Sequence, residues 1–307
     1  MNKILIFFLF VLFSCGNNNP TMSTDSAQTH MEILEADTAQ TQTPALKHYF
    51  PIQSLIADST ILRAFVLSHY FPIQFFPKAI DTDTVVIKTL AIQFNSINTL
   101  VRDNKIDRAQ ALEKLQDIVP KLQAIYNRLK PNKVKKEQWI FPVEGYSSKA
   151  IGGTHGEGYN PKGYNYFDGN KHGGHAAQDI FIQDRNQDSK DDRTGKFVNI
   201  LSVTDGIVVA LEKEWDSASS LRGGKYIYVY DPIDNALFYY AHNNEVFVDV
   251  GQIINAGDRI ATMGRTGLNA FKQRSPTHLH FMKLTFDKEF YPKPVDTYKN
   301  LILTNNK

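Results

Sequence analysis

Thr277-His278-Leu279-His280-Phe281-Met282-Lys283-Leu284 is the stretch whose reading decides the fold of this chain. It alternates as a strand does, and successive side chains of a strand point to opposite faces. His278 and His280 therefore share one face, while Leu279 points into a core. Two imidazoles side by side on a sheet make a poor core and a good site, although a structural pair bonded to buried carbonyls would show the same pattern. About a hundred residues earlier, Gly174-His175-Ala176-Ala177-Gln178-Asp179-Ile180 sets a histidine and a carboxylate with three residues between them. Imidazole and carboxylate hold a catalytic zinc where no thiolate is available, with three protein ligands and a fourth position left to water. Of nine histidines in the chain, these two stretches hold three, beside an aspartate.

Outward from these stretches, short β-type runs dominate. Tyr226-Ile227-Tyr228-Val229-Tyr230, Leu237-Phe238-Tyr239-Tyr240, Glu245-Val246-Phe247-Val248 and His280 to Leu284 read as strands. Gly206, Gly223-Gly224, Gly251, Gly257, Gly264 and Gly267 punctuate them. No helical period runs through Val198 to Leu284, so residues 137–307 are expected to form an antiparallel all-β domain. Tyr240-Ala241-His242, at the end of one strand, adds a further candidate histidine.

Residues 46–136 have the opposite texture and are expected to form a helical domain. Ile87, Leu90, Ala91, Phe94, Ile97 and Val101 follow the spacing of one buried helix face, after Asp81 to Thr84 as capping residues. Ile106, Ala109, Leu112, Leu115, Val119, Leu122, Ile125 and Leu129 continue the period, with Pro120 expected to kink or split the helix. Asp103-Asn104-Lys105 suits the turn between them. An earlier helix is expected over Ser54 to Ser68. The hexapeptide His-Tyr-Phe-Pro-Ile-Gln, at His48 to Gln53 and again at His69 to Gln74, reads as aromatic packing at the ends of that helix, the alternative being a carbohydrate-stacking surface. Arg128 to Lys136, with five basic residues, reads as a solvated linker.

The first residues suggest export. Lys3 precedes an apolar run from Ile4 to Phe13, too short to span a bilayer core that needs about 20 helical residues. Leu12-Phe13-Ser14-Cys15 resembles the lipobox of bacterial lipoproteins, which implies cleavage before Cys15 and lipidation of its thiol. Cys15 is the single cysteine, so any metal site must use His, Asp or Glu. Residues 1–15 are then a signal peptide and 16–45, rich in Asn, Thr, Ser and Gln, a disordered tether. The expected place is the cell envelope, held to a bacterial membrane by the lipid. A formal net charge of +2 argues against nucleic acid as a partner.

His-x-x-x-Asp, Tyr-x-His and His-x-His occur in the order seen in the lysostaphin-like (LytM-domain) zinc metallopeptidases, which cut peptide cross-links of bacterial cell walls. The resemblance covers roughly residues 139–300. It extends to Val203-Thr204-Asp205-Gly206-Ile207-Val208-Val209 and to the glycine-punctuated stretch from Val250 to Gly267. It implies one zinc ion on His175, Asp179 and His280, with His242 and His278 as the catalytic pair: one accepts a proton from water, the other hydrogen-bonds the developing oxyanion. Which does which stays open, as does His172 as an alternative ligand.

The resemblance implies a peptidoglycan hydrolase, the alternative being a non-catalytic cell-wall-binding regulator of other wall hydrolases. A protein partner at the helical domain is a further expectation. Two departures stand out. Ala177 replaces a glycine common in the family, and an acidic insertion follows Asp179. In it, Asp184, Asn186, Asp188 and Asp192 match positions 1, 3, 5 and 9 of an EF-hand loop, whereas Ser189 and Gly195 replace its Gly and Glu. A Ca2+ site there is set against a solvated acidic turn. Tyr159, Tyr164 and Tyr166 are expected to line a substrate groove, with His155 and His172 as loop residues.

Overall fold

The computed structural model describes residues 82–131, 138–268, 270–271 and 275–304. Cys15 and the signal and tether around it, the helix expected at 54–68, both hexapeptides and residues 132–136 of the basic run lie outside the described residues.

Helix α1 runs Thr82–Arg102, and its buried residues Ile87, Leu90, Ala91, Phe94, Ile97, Asn98 and Val101 recur at helical spacing along one face. Asn104, at φ 55°, turns the chain in the left-handed conformation that asparagine tolerates at a helix end. Asp107 then caps helix α2, Arg108–Leu129, its carboxylate accepting from the Ala109 N–H at 2.8 Å. Pro120 does not split α2, which is continuous. A mid-helix proline costs about 3 kcal/mol. Leu115, Ile118, Val119 and Leu122 around it are buried, each stabilising by roughly 1.5–3 kcal/mol, so packing prevails. Asp83 and Thr84 lie within α1 rather than before it, and Asp83 accepts from Arg128 Nε of α2 at 2.7 Å. Arg128 is thus a strut of the hairpin, not part of a solvated linker.

The strands are β1 Gln178–Phe181, β2 Lys190–Asp191, β3 Lys196–Phe197, β4 Asn199–Leu201, β5 Gly206–Glu212, β6 Lys225–Asp231, β7 Ala236–Val246, β8 Ile253–Ile254, β9 Arg259–Met263, β10 His278–Phe286 and β11 Pro292–Val295; a short helix, α3, follows at Tyr298–Ile302. Nine of them form one sheet ordered β1-β10-β7-β6-β5-β8, with β11 on β10 and β9 joining β4 to β7; β2 and β3 pair separately. Every described pairing is antiparallel. Glu245 to Val248, read above as a separate strand, begins within β7, whose far end leaves β6 and β10 for β9.

Alternation buries both faces of this sheet. One carries Trp139, Phe141, Ile180, Ile227, Val229, Phe238, Tyr240, Leu279 and Phe281 in a single apolar cluster. The other carries Tyr226, Tyr228, Leu237, Ala241, Met282 and Leu284, packed in a second cluster with the buried stripes of α1 and α2. Hairpin and sheet belong to one compact unit, Lys78–Lys307. The boundary expected at 136 therefore does not set the hairpin apart, because its apolar stripe finds its partner on the sheet. Among the described residues no helix is long and apolar enough to cross a membrane.

Candidate metal centre

Register brings the ligands together. Asp179 of β1 is the cross-strand partner of His280 in β10, which faces Ala241 of β7 on its other side. Directly opposed residues project to the same face, so Asp179 and His280 meet over the sheet, and His278 follows two residues away on that face. His175 arrives from the segment before β1, where it exchanges backbone hydrogen bonds of 2.7 Å with Asn160 in both directions. Gly174 makes that approach feasible: its φ is 67°, and a Cβ there would lie 2.6 Å from the Lys162 carbonyl oxygen.

His175, Asp179 and His280 each offer one donor atom, all within 4.8 Å of one another. Asp179 Oδ1 lies 3.2 Å from His175 Nε2 and 3.0 Å from His280 Nδ1. Tetrahedral ligands about 2.1 Å from zinc sit about 3.4 Å apart, so little movement separates this set from a zinc site. The His175 Nδ1–H donates to the Gly158 carbonyl at 2.7 Å, which leaves Nε2 as its ligand atom. Burial alone would raise the Asp179 carboxyl, but hydrogen bonds from His175 and His280 outweigh it and hold the group far below the usual carboxylate range. His175 is raised, first by its hydrogen bond to Asp179 and against the effect of burial. His280 is lowered because it is buried.

His242 and His278 complete one side of the site. The His242 ring centroid lies 4.9 Å from that of His278 and 5.6 Å from that of His280. Both donate Nδ1–H to backbone carbonyls at 2.7 Å, His242 to Thr266 and His278 to Pro276. A carbonyl can only accept, so each Nε2 is the free lone pair. His278 Nε2 is 3.8 Å from Asp179 Oδ2. Burial, reinforced by His278 and His280, holds His242 well below the ordinary histidine range and so keeps it neutral.

His242 reaches this face against strand alternation. Tyr240 points into the opposite cluster, its hydroxyl accepting from the Val203 N–H at 3.0 Å, and two residues further on His242 would point the same way. Instead its φ is 67°, and it lies within a shift of the β6 register, between Tyr240 and Asn243, with a second shift against β9 between Asn243 and Glu245. A left-handed non-glycine residue costs about 1–2 kcal/mol; here that conformation turns the imidazole to the face of His278 and His280.

These residues line a cavity of about 260 Å³ whose wall also includes His172, Arg222, Tyr239 and Ser275. His172 is outside the ligand triad: its Nδ1 contacts the Gly173 carbonyl at 3.0 Å and its ring packs on Tyr164. His155 is exposed and pairs with Glu157. Of the tyrosines expected in a groove, Tyr166 is instead buried, its hydroxyl donating to Asn98 of α1 at 3.0 Å. Tyr159 packs on the hairpin-side cluster, and Tyr164 and Tyr166 both line a recess next to the site. Arg222, Tyr239 and Ser275 were not foreseen. Arg222 stands in a glycine-rich turn with no periodicity to single it out.

The acidic insertion spends its side chains locally. Asp184 accepts from Thr277 Oγ1 at 2.6 Å and from the N–H groups of Asp188 and Ser189, Asn186 Nδ2 donates to Asp188, and Asp192 accepts from the Arg185 N–H. Among the described residues the one grouping of potential metal ligands is His175, Asp179 and His280. The geometry lends the calcium reading no support; the loop is tied to the start of β10 through Thr277.

Residues 191–292, about a third of the chain, match peptidase family M23. The span includes His242, His278 and His280 and begins after His175 and Asp179, which the sheet register joins to it. Among solved structures, the chain is similar to a zinc containing peptidase from Vibrio cholerae, at 22% identity over 56% of this chain and 41% of that one, with a TM-score of 0.35. It is also similar to a LytM-type protein from Ruminococcus gnavus (19% identity, 76% and 92% covered, TM-score 0.38). A third likeness is to the catalytic domain of the antimicrobial peptidase lysostaphin from Staphylococcus simulans (23% identity, 47% and 86% covered, TM-score 0.30). The chain thus spans less than half the length of the Vibrio protein.

Proposed function

The β domain belongs to peptidase family M23, and on that premise we propose that this protein is a zinc-dependent endopeptidase hydrolysing peptide cross-links of bacterial peptidoglycan. The observation that carries the reading is the convergence of His175 Nε2, Asp179 Oδ1 and His280 Nδ1, with His242 and His278 beside them. Two imidazoles and one carboxylate, with no thiolate, form the donor set of a catalytic rather than a structural zinc site.

When bound, zinc supplies Lewis-acid polarisation of a peptide carbonyl and a lowered pKa for water at the open position. The chain's own groups do the rest. His175, Asp179 and His280 hold the ion, and the carbonyls of Gly158, Thr266 and Pro276 set the ring orientations of His175, His242 and His278. Of the two free Nε2 atoms, one accepts the proton released as water's oxygen joins the acyl carbon. The other, entering the step with its Nε2 protonated from solvent and keeping that proton, hydrogen-bonds the developing oxyanion. As the C–N bond breaks, the proton passes to the leaving amine. The lipidation expected at Cys15 would hold this site at a membrane facing the wall.

The test uses purified protein on isolated sacculi. Soluble peptide fragments should appear with zinc, disappear with chelator, and be absent with His280→Ala. Stoichiometric zinc binding with no release of fragments would instead favour a wall-binding regulator.

A further inference from the structure

Arg222 stands in the wall of the candidate metal site with no acidic partner among the described residues. Among the described residues lining the cavity of the three candidate ligands, it is the one lysine or arginine. Its Nη1 donates to the His172 carbonyl at 2.6 Å, and no carboxylate pairs with it among the described residues. Arg102, also part-buried, shows the contrast: it is paired with Asp103 and Glu212. Holding a guanidinium half out of water beside a metal site, with a carbonyl as its one charge-compensating contact, leaves donors for an anion that arrives.

The position is built. The Arg222 N–H donates to Asn170 Oδ1 at 2.9 Å, the Leu221 carbonyl accepts from Leu268 N–H, and the Gly223 carbonyl accepts from His242 N–H, the last two at 3.0 Å. Gly224, at φ 62°, lets the turn lie against Thr266 and Gly267, where a Cβ would come within 2.3 Å of backbone. The segment presenting Arg222 is therefore clamped to the residue that carries the catalytic imidazole and to the stretch that orients it.

Beyond Arg222 the groove closes. The sheet face past Tyr239 is covered by α1 and the 166–171 turn. Asn98 Nδ2 donates to the Tyr226 hydroxyl at 3.1 Å, and a Cβ on Gly169 would lie 2.1 Å from the Val101 carbonyl oxygen. What remains is a recess of about 80 Å³ between His280, Arg222, Tyr239 and α1, room for a small side chain or a few waters. A substrate backbone crossing His280 in this direction cannot continue.

We propose that Arg222 binds a free α-carboxylate on the residue at the amine side of the scissile bond, so that the substrates are peptides whose cleaved bond is followed by such a residue. This residue is either the chain end or one that continues only through its side chain; a bond inside an uninterrupted α-linked chain, as in a run of glycines, is refused. The assignment rests on the hydrolase reading above for its location but is testable apart from it.

Zinc-loaded full-length protein is titrated with N-acetyl-D-alanyl-D-alanine and with its C-terminal amide, and turnover of both is followed. The acid should bind at least about tenfold more tightly, as one charge-assisted contact allows. Arg222→Gln should bring acid and amide to parity while keeping zinc and melting temperature, and Arg222→Lys should restore part of the preference. The change should fall on KM more than on kcat. A third probe, with the last residue replaced by D-lysine acylated on its ε-nitrogen, distinguishes a chain end from a side-chain link. Equal binding of acid and amide by the wild type, no binding of either, or a preference that survives Arg222→Gln overturns the proposal. A preference for the acid without turnover would keep the carboxylate site and sink the hydrolase reading instead.

Discussion

Asp179 and His280 are direct cross-strand partners in the antiparallel pairing of β1 with β10, and Asp179 Oδ1 lies 3.0 Å from His280 Nδ1. The strand register alone thus unites two candidate ligands 101 positions apart in sequence. Asp179→Asn preserves shape and removes the charge. Zinc affinity should fall by at least about 100-fold, about 2.7 kcal/mol, measured by competition with a chromophoric chelator. An affinity within a few-fold of wild type would remove Asp179 from the ligand set.

Zinc retention should depend on pH with a definite sign. Asp179 raises His175 above its ordinary value, so the metal-free site keeps that proton up to higher pH. Zinc needs the imidazole neutral, so apparent affinity should fall as pH drops through the raised His175 pKa, by about tenfold per pH unit per displaced proton. His280, lowered by burial, should add a second proton only under more acidic conditions. Zinc titrations between pH 5 and 8 check this, and a flat profile would contradict it.

His242 gives a paired test of strain and chemistry. His242→Ala and His242→Gly should both keep zinc and lose turnover by about 10²–10⁴-fold, the usual share of a general acid–base group. At φ 67° the glycine variant should be the more stable by about 1 kcal/mol in denaturant unfolding. An alanine variant as stable as the glycine one would show that the left-handed backbone is relaxed.

Asn98 is a buried polar link between hairpin and sheet domain, donating to Tyr226 and accepting from Tyr166. Asn98→Ala should destabilise the folded unit by about 2 kcal/mol, because the buried Tyr166 hydroxyl loses its acceptor and the Tyr226 hydroxyl keeps only the long contact from Arg102. Urea unfolding measures the change; a loss below about 0.5 kcal/mol would mean water replaces the amide.

Much of this was legible in the sequence because it is periodic. The spacing of Ile87 to Val101 survives as the buried stripe of α1, and the alternation of Thr277 to Leu284 survives in β10. The His-x-x-x-Asp and His-x-His patterns identified the three side chains that now converge. Periodicity said nothing of partners: that the helical stripe would pack on the tyrosine face of the sheet, or that Pro120 would be held in an unbroken helix, depends on side chains far away in the chain.

The sequence by itself determined which chemistry is available, since one cysteine far from every motif leaves imidazole and carboxylate as the metal donors. It also determined that His278 and His280 share a face, because strand geometry is local. Only the tertiary structure decided that His242 joins them. Alternation from Tyr240 points its ring the wrong way, and a left-handed residue within a register shift turns it back. Only the tertiary structure placed Arg222 in the wall as well, through a hydrogen bond to Asn170 and others from His242 and Leu268 to the flanking carbonyls, which no local pattern encodes. Local rules specify faces, whereas the site is made by contacts between strands and loops whose separation in sequence carries no period.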